Sequence, residues 1–270
     1  MRKYLQSIFL CFLIFAMQSC RQEGTYKITG ELMLPEGSVV TLWPDDNSHQ
    51  IAGAGIANHQ FKMEVEGLDE GVYNLLVSWK NPNREAQVLL SGSKLNTPDT
   101  LYATTTIYLS PNADYHVGSS IKDITQVSVP TKDNPNPFPL LMETNSQASK
   151  DLQFYLNELT NITNVFQEKQ DSLSMLINAA QTKNDLESYG KNMKEYEGLG
   201  DGFLKETRFL ARKKFINAHL ASPISAYIIA MAADLKENRS FYQQAVDRLD
   251  ASLKVNRYTI EAKRRLAILH

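Results

Sequence analysis

The stretch "PTKDNPNPFPL" constrains this chain more than any other, because Pro130, Pro135, Pro137 and Pro139 place four prolines in ten residues. Each removes an amide donor and holds its neighbour in extended backbone, so neither a strand nor a helix is expected to run through 130–139. The hydrophobic pattern also changes across it, from a period of two to a period of three or four. Two independent bodies joined by a linker are therefore expected, an N-terminal one at 20–129 and a C-terminal one at 140–270.

Before the prolines, apolar residues alternate with polar ones in short runs separated by Gly, Pro, Asn and Asp, as half-buried strands require. The runs are Tyr26, Ile28, Leu32 and Leu34; Val40 and Leu42; Phe61, Met63 and Val65; and Tyr73, Leu75, Val77 and Trp79. Val88 and Leu90, Leu101 to Leu109, Tyr115 and Val117, and Val127 and Val129 continue the series. Asn58 and His59 stand where a tight hairpin would reverse the chain into Phe61. This spacing predicts an antiparallel β-sandwich.

After the prolines, Leu152, Leu156, Leu159, Ile162, Phe166, Leu173, Leu176, Ile177 and Ala180 lie on one helical stripe. A helix from about Ser146 to Ala180 is expected, then a second helical run from about Asn184 to His219, broken near Gly198, Gly200 and Gly202. The two can pair as a long antiparallel hairpin. Ser222 and Pro223 suit the N-cap and first turn of a further helix. Ser240 could cap another, and a last helix is expected from near Tyr258 to Leu269. The fold class is α+β, a sandwich followed by a helical domain.

Residues 1–19 read as an export signal, with Arg2 and Lys3 ahead of an apolar run from Leu5 to Met17. That run is shorter than the roughly 20 apolar residues a membrane-spanning helix needs. Ala16, Met17, Gln18 and Ser19 precede Cys20 in the manner of a lipoprotein cleavage site, with a small residue directly before the cysteine. Cys20 is thus expected to carry lipid and tether the chain to a bilayer on the periplasmic side of a cell envelope. An ordinary signal peptide carrying a chance cysteine is the alternative.

The only other cysteine is Cys11, inside the signal, so stability must come from packing rather than from disulfides. Residues 20–140 hold 8 basic and 14 acidic side chains and 141–270 hold 18 and 16, with no basic excess that would point to nucleic acid. His49, His59, His116, His219 and His270 show no spacing that brings two imidazoles onto one metal. Asp45, Asp46 and Asn47 lack the spacing of a calcium loop and are expected to form a solvated turn. The glycines of "GAG" at Gly53 and Gly55 fall within an expected strand rather than opening a helix, so no phosphate loop is implied. Tyr26, Trp43, Tyr73, Trp79 and Tyr102 could form a sugar-stacking face but fit strand registers that fill a core. No catalytic residue, metal site or cofactor is expected.

The run "YKITGELMLPEGSVVTLWPDDNSHQIAGAGIANHQFKMEVEG" resembles the N-terminal domain of unknown function 4369 of Bacteroidota lipoproteins. Tyr26, Gly30, Val40, Leu42, Ala54, Ile56, Asn58, Phe61 and Gly67 carry the likeness, while Gln60 replaces the glycine usual before the Phe. More loosely, "HLASPISAYIIA" is similar to that family's Asn-Pro-x-Ser segment, with Ser222 in place of the Asn. The resemblance implies a thioredoxin-like envelope protein as partner, since that family usually continues into a thiol-disulfide oxidoreductase or peroxiredoxin domain. Such a domain needs a reactive thiolate, and no cysteine follows Cys20. Asp99-Thr100-Leu101 and Asp171-Ser172-Leu173 resemble an O-glycosylation acceptor pattern of that bacterial group, at Thr100 and Ser172. The expectation is an envelope lipoprotein that binds partners without catalysis, or else an accessory subunit of a thiol-redox or peroxide-defence system.

Overall fold

The computed structural model describes residues 24–85, 98–122, 138–199 and 201–269. The expected leader, Cys20, the expected strands at 88–90 and 127–129, and residues 130–137 of the linker lie outside the described residues. The chain is α+β and divides into two compact units, one ending at Ser149 and the other beginning at Lys150.

The first unit is a sandwich of two four-stranded sheets. One joins β1 (Gly24–Glu31), β4 (Gln60–Leu68), β7 (Asp114–Ser119) and β8 (Leu140–Thr144) in the order β4-β1-β7-β8. The other joins β2 (Val39–Pro44), β3 (Ala52–Gly55), β5 (Gly71–Lys80) and β6 (Thr100–Leu109) in the order β3-β2-β5-β6. Inward positions alternate as period two demands: Phe61, Met63 and Val65 are buried while Lys62, Glu64 and Glu66 face water. Tyr73, Leu75, Val77 and Trp79 complete the opposing wall.

Three features depart from the expected sandwich. β1 and β7 run parallel, Lys27 opposite Asp114 and Gly30 opposite Val117, because the chain visits the second sheet between them and returns in the same direction. β8 lies where the helical domain was expected to begin at 140, and pairs antiparallel with β7 from Tyr115↔Thr144 to Ser119↔Leu140. Phe138, assigned to the linker, is a core residue whose ring centroid lies 5.1 Å from that of Trp79. An aromatic side chain between prolines can still bury its ring, since proline restricts only the backbone.

Two local devices fix the sandwich. Asn58 and His59 have φ of 50° and 62°, and Ala57 and Gln60 exchange both amide hydrogen bonds, so the turn before β4 is the two-residue type I′ form. The Tyr115 hydroxyl donates to Tyr108 O at 2.9 Å and accepts the Ser110 amide at 2.6 Å, pinning the β6–β7 connection in the manner of a tyrosine corner. Burial pushes the Tyr115 phenol up, against the lowering effect of the Ser110 amide.

Gly30 sits where β1 is pressed between Phe61 and Val117, and a Cβ there would overlap the Phe61 ring and the Val117 carbonyl oxygen. The carbonyl is held in the ladder and cannot yield cheaply. Gly30→Ala is expected to cost about 2 kcal/mol, as overpacking a filled core does. A urea titration followed by β-sheet circular dichroism measures it, and an unchanged midpoint contradicts the close approach.

The second unit is helical. α1 (Gln147–Thr182) has 36 residues and is about 54 Å long. It is followed by α2 (Leu186–Gly198), α3 (Asp201–Ala218), α4 (Pro223–Met231), α5 (Arg239–Arg248) and α6 (Arg257–Ile268). α2 and α3 divide at the expected glycines and run back along α1. Lys169 pairs with Glu195 at 3.7 Å, Phe166 stacks on Phe203, Arg208 donates to Thr163 at 3.1 Å and Glu158 meets Lys214 at 3.3 Å. Residue numbers that fall along α1 as they rise along α2 and α3 are the signature of the antiparallel hairpin.

Ser222 caps α4 by accepting the Ile224 amide, with Pro223 opening the helix. Arg265 of α6 donates to the carbonyls of Ala230 and Ala232 and so satisfies the far end of α4. Ser240 does not cap α5; the Tyr242 amide already bonds Asn238 O, so the helix starts one residue before the serine.

Candidate functional site

A hairpin of two helices buries only one side of each, and the rest of an apolar stripe stays in water. Of the α1 stripe, Leu152, Leu173 and Ala180 are fully buried whereas Leu156, Leu159, Ile162 and Phe166 are only partly covered and Leu176 is exposed. Phe154 and Val165 stand off that stripe, and Phe203 faces them from α3. The result is an open groove of about 350 Å³ lined by Phe154, Asn157, Glu158, Ile162, Val165 and Phe203, with Asn161 and Thr207 completing its wall.

Its apolar groups are unusually accessible: Val165 is 61% exposed, Phe154 55% and Phe203 41%. Each end is held by rings. Phe154 lies 6.4 Å from Phe215 and 6.3 Å from His219, and His219 in turn stacks on Phe215 at 4.4 Å. At the other end Phe203 stacks on Phe166 at 6.4 Å, with the Lys169 ammonium 5.9 Å from its ring. Asn157 and Asn161 supply amide donors and acceptors, and Glu158 is engaged by Lys214. Apolar burial with a few orienting amides is the chemistry of a docking groove.

Away from the groove lining, α3 carries a polar cluster. Arg212 grips Asp234 through both nitrogens, at 2.9 and 3.1 Å, while the Tyr242 hydroxyl and the Asn238 amide donate to the same carboxylate at 2.9 and 3.0 Å. Burial raises the Tyr242 phenol, the Arg212 charge opposes that, and its hydrogen bond to Asp234 adds to it. The neighbouring Tyr155 phenol is pushed up to about 12, first by burial. Every group of this cluster is satisfied by another, so it joins α3 to α5 rather than presenting a reactive atom.

The sandwich carries a smaller cleft of about 250 Å³ on the outer face of β1, β7 and β8, lined by Lys27, Thr29, Asp114, His116, Glu143 and Asn145 among others. Its charges alternate across the ladders, Lys27 beside Asp114 and His116 beside Glu143, and Thr29 Oγ1 shares a hydrogen bond with His116 Nδ1 at 3.3 Å. These are exposed cross-strand pairs of a solvated sheet face.

The other expected positions disperse. Thr100 is half-buried at the start of β6 opposite Lys80, and Ser172 is exposed on α1. Asp46 accepts the Ser48 amide, and the Ser48 side chain first and then that amide lower its carboxyl pKa, while Asn47 adopts φ 53° in the same turn. Among the described residues no three His, Cys, Asp or Glu side chains are placed to hold a metal ion. Of the five aromatic positions, Tyr26, Tyr73 and Trp79 are core, Trp43 is half-buried with its indole N–H on Thr41, and Tyr102 faces water. Among the described residues no helix is long and apolar enough to cross a membrane.

Phe154, Val165 and Phe203 were not singled out in the sequence. The available signal was that Phe154 and Val165 fall off the apolar stripe of their helix, as Met175 also does. A comparison with known families, curated proteins and solved structures finds no match for this chain.

Proposed function

We propose that the chain is a cell-envelope lipoprotein, tethered through lipid on Cys20 on the periplasmic side, whose helical hairpin captures a partner without catalysis. The observation that carries the reading is the groove between α1 and α3, where Phe154, Ile162, Val165 and Phe203 offer apolar anchors at helical spacing. An amphipathic helix recognises such a groove through residues three and four apart. The tether follows from the leader, the residues before Cys20 and the resemblance described above. A related reading makes the partner a thioredoxin-like envelope protein, with this chain its accessory subunit. It is favoured by the same resemblance.

The test compares partners captured by the intact chain and by Val165→Asp from solubilised membranes. Val165 is exposed, so the variant is expected to keep its stability within about 0.5 kcal/mol. A charge in the anchoring groove is expected to lower capture of the main partner about thirtyfold, the scale of one lost hot spot. Equal capture by both proteins contradicts the groove as the docking site. A cysteine-bearing redox protein among the lost partners supports the accessory reading; disulfide reductase or peroxidase turnover by the isolated chain contradicts both.

A further inference from the structure

We propose that the outward face of α6, with the turn before it, is a docking surface for an anionic phospholipid bilayer. Along α6 the inward positions Tyr258, Thr259, Ala262 and Leu266 are buried, as the 3.6-residue period requires. The remaining arc carries Arg257, Ile260, Lys263, Arg264 and Ile268, all exposed. Within this basic arc Ile260 is 57% and Ile268 67% exposed, and Val255, just ahead of the Asn256 cap, is 83% exposed. Val255 and Ile260 occupy the two positions of a hydrophobic staple, which would normally hide both side chains against each other. Their exposure leaves them available to a second surface.

The charge around these aliphatic side chains selects the occupant. Lys254, Arg257 and Lys263 accompany them, while Arg264 and Glu261 pair with each other at 2.6 and 2.7 Å and Asp250 accepts the Ser252 amide and hydroxyl, which leaves a net basic surface. The Arg257 guanidinium lies 4.6 Å from the Tyr258 ring. Cations interleaved with aliphatics on the convex side of a surface helix complement a planar anionic interface. Long basic stems reach headgroup phosphates while the short apolar groups enter the acyl boundary. A concave apolar groove with few charges, such as that between α1 and α3, suits a helix instead. This surface is independent of the lipid on Cys20 and of the partner groove.

Flotation of the unacylated full-length protein with phosphatidylcholine vesicles, with and without about a third of the lipid as phosphatidylglycerol, tests it. The apolar leader is common to every variant, so the readout is the increment caused by anionic lipid. That increment is expected to fall about twenty-five-fold in Lys254→Gln/Lys263→Gln, at about fivefold per basic residue. It is also expected to collapse near 1 M salt, where the screening length is about 3 Å. In Ile260→Trp, tryptophan emission is expected to shift to shorter wavelength on the anionic vesicles only. Equal partitioning on neutral and anionic vesicles overturns the proposal. So does an unshifted Ile260→Trp emission in protein that binds, which would indicate a purely electrostatic contact of the kind an acidic protein or a free polyanion could satisfy. Neither outcome bears on acylation of Cys20, which is read by fatty-acid labelling.

Discussion

In cells, Cys20→Ala is expected to lose all incorporation of a fatty-acid analogue and to move from the membrane to the soluble fraction. The expectation rests on the proposed lipoprotein reading. A lipidated N-terminal cysteine carries several acyl chains, and each buried methylene contributes about 0.8 kcal/mol, whereas one chain alone anchors only marginally. Among the described residues no helix is long and apolar enough to span a bilayer in its place, and the apolar run from Leu5 to Met17 is shorter than a span needs. Arg2, Lys3 and that apolar run are unchanged in the variant, so export is preserved and the loss reports the cysteine. Label retained on Cys20→Ala contradicts the lipoprotein reading outright. Loss of label with retention on membranes would instead place the anchor elsewhere, with the basic face of α6 the first surface to mutate.

Within the helical unit, Asp234→Ala is expected to be strongly destabilising, at about 3 kcal/mol. The carboxylate receives Arg212, Asn238 and Tyr242, so its removal strands a mostly buried guanidinium, an amide and a phenol at once. Breaking one side of a buried ion pair typically costs about 3–5 kcal/mol, and the residual exposure of Arg212 and Asp234 places this one at the lower end. Asp234→Asn keeps an acceptor for Tyr242 and is expected to lose about half as much, since hydrogen bonds to charged groups exceed neutral ones. Urea unfolding followed at a helical wavelength separates the two. Equal midpoints for the alanine variant and the parent would show that the cluster does not hold α3 to α5.

What the sequence disclosed follows the range of each signal. Period-two alternation at Tyr73, Leu75, Val77 and Trp79 is local, and β5 forms where it indicates. The stop at Gly198 to Gly202 and the Ser222-Pro223 start are equally local, and both mark helix ends. The parallel pairing of β1 with β7 is not local: no pattern within Tyr26–Gly30 says which distant strand lies beside it. β8 escaped because five residues after a proline cluster are too few to show a period, and pairing with β7 decides their conformation.

The candidate site was legible only in part. The apolar stripe of α1 was visible in the sequence, but most of its residues are those the hairpin covers in whole or in part. Phe154 and Val165 are exposed because α3 packs on the neighbouring side of α1, which depends on contacts such as Tyr155 with Phe215, 60 positions apart. The Arg212–Asp234 grip spans 22 positions and leaves no motif. The basic and aliphatic residues of α6 were visible in the sequence, but their common exposure emerges only once Ala262 and Leu266 are seen to be buried.

If the α1–α3 groove holds a specific partner, photo-crosslinking in living cells captures it. A photoreactive amino acid is placed at Val165 in the groove, or at Glu197 near the end of α2 as a control outside it. One dominant crosslinked protein is expected from position 165, absent from position 197 and lost when Phe203→Asp is added. The same set of abundant envelope proteins from both positions, undiminished by Phe203→Asp, would contradict it.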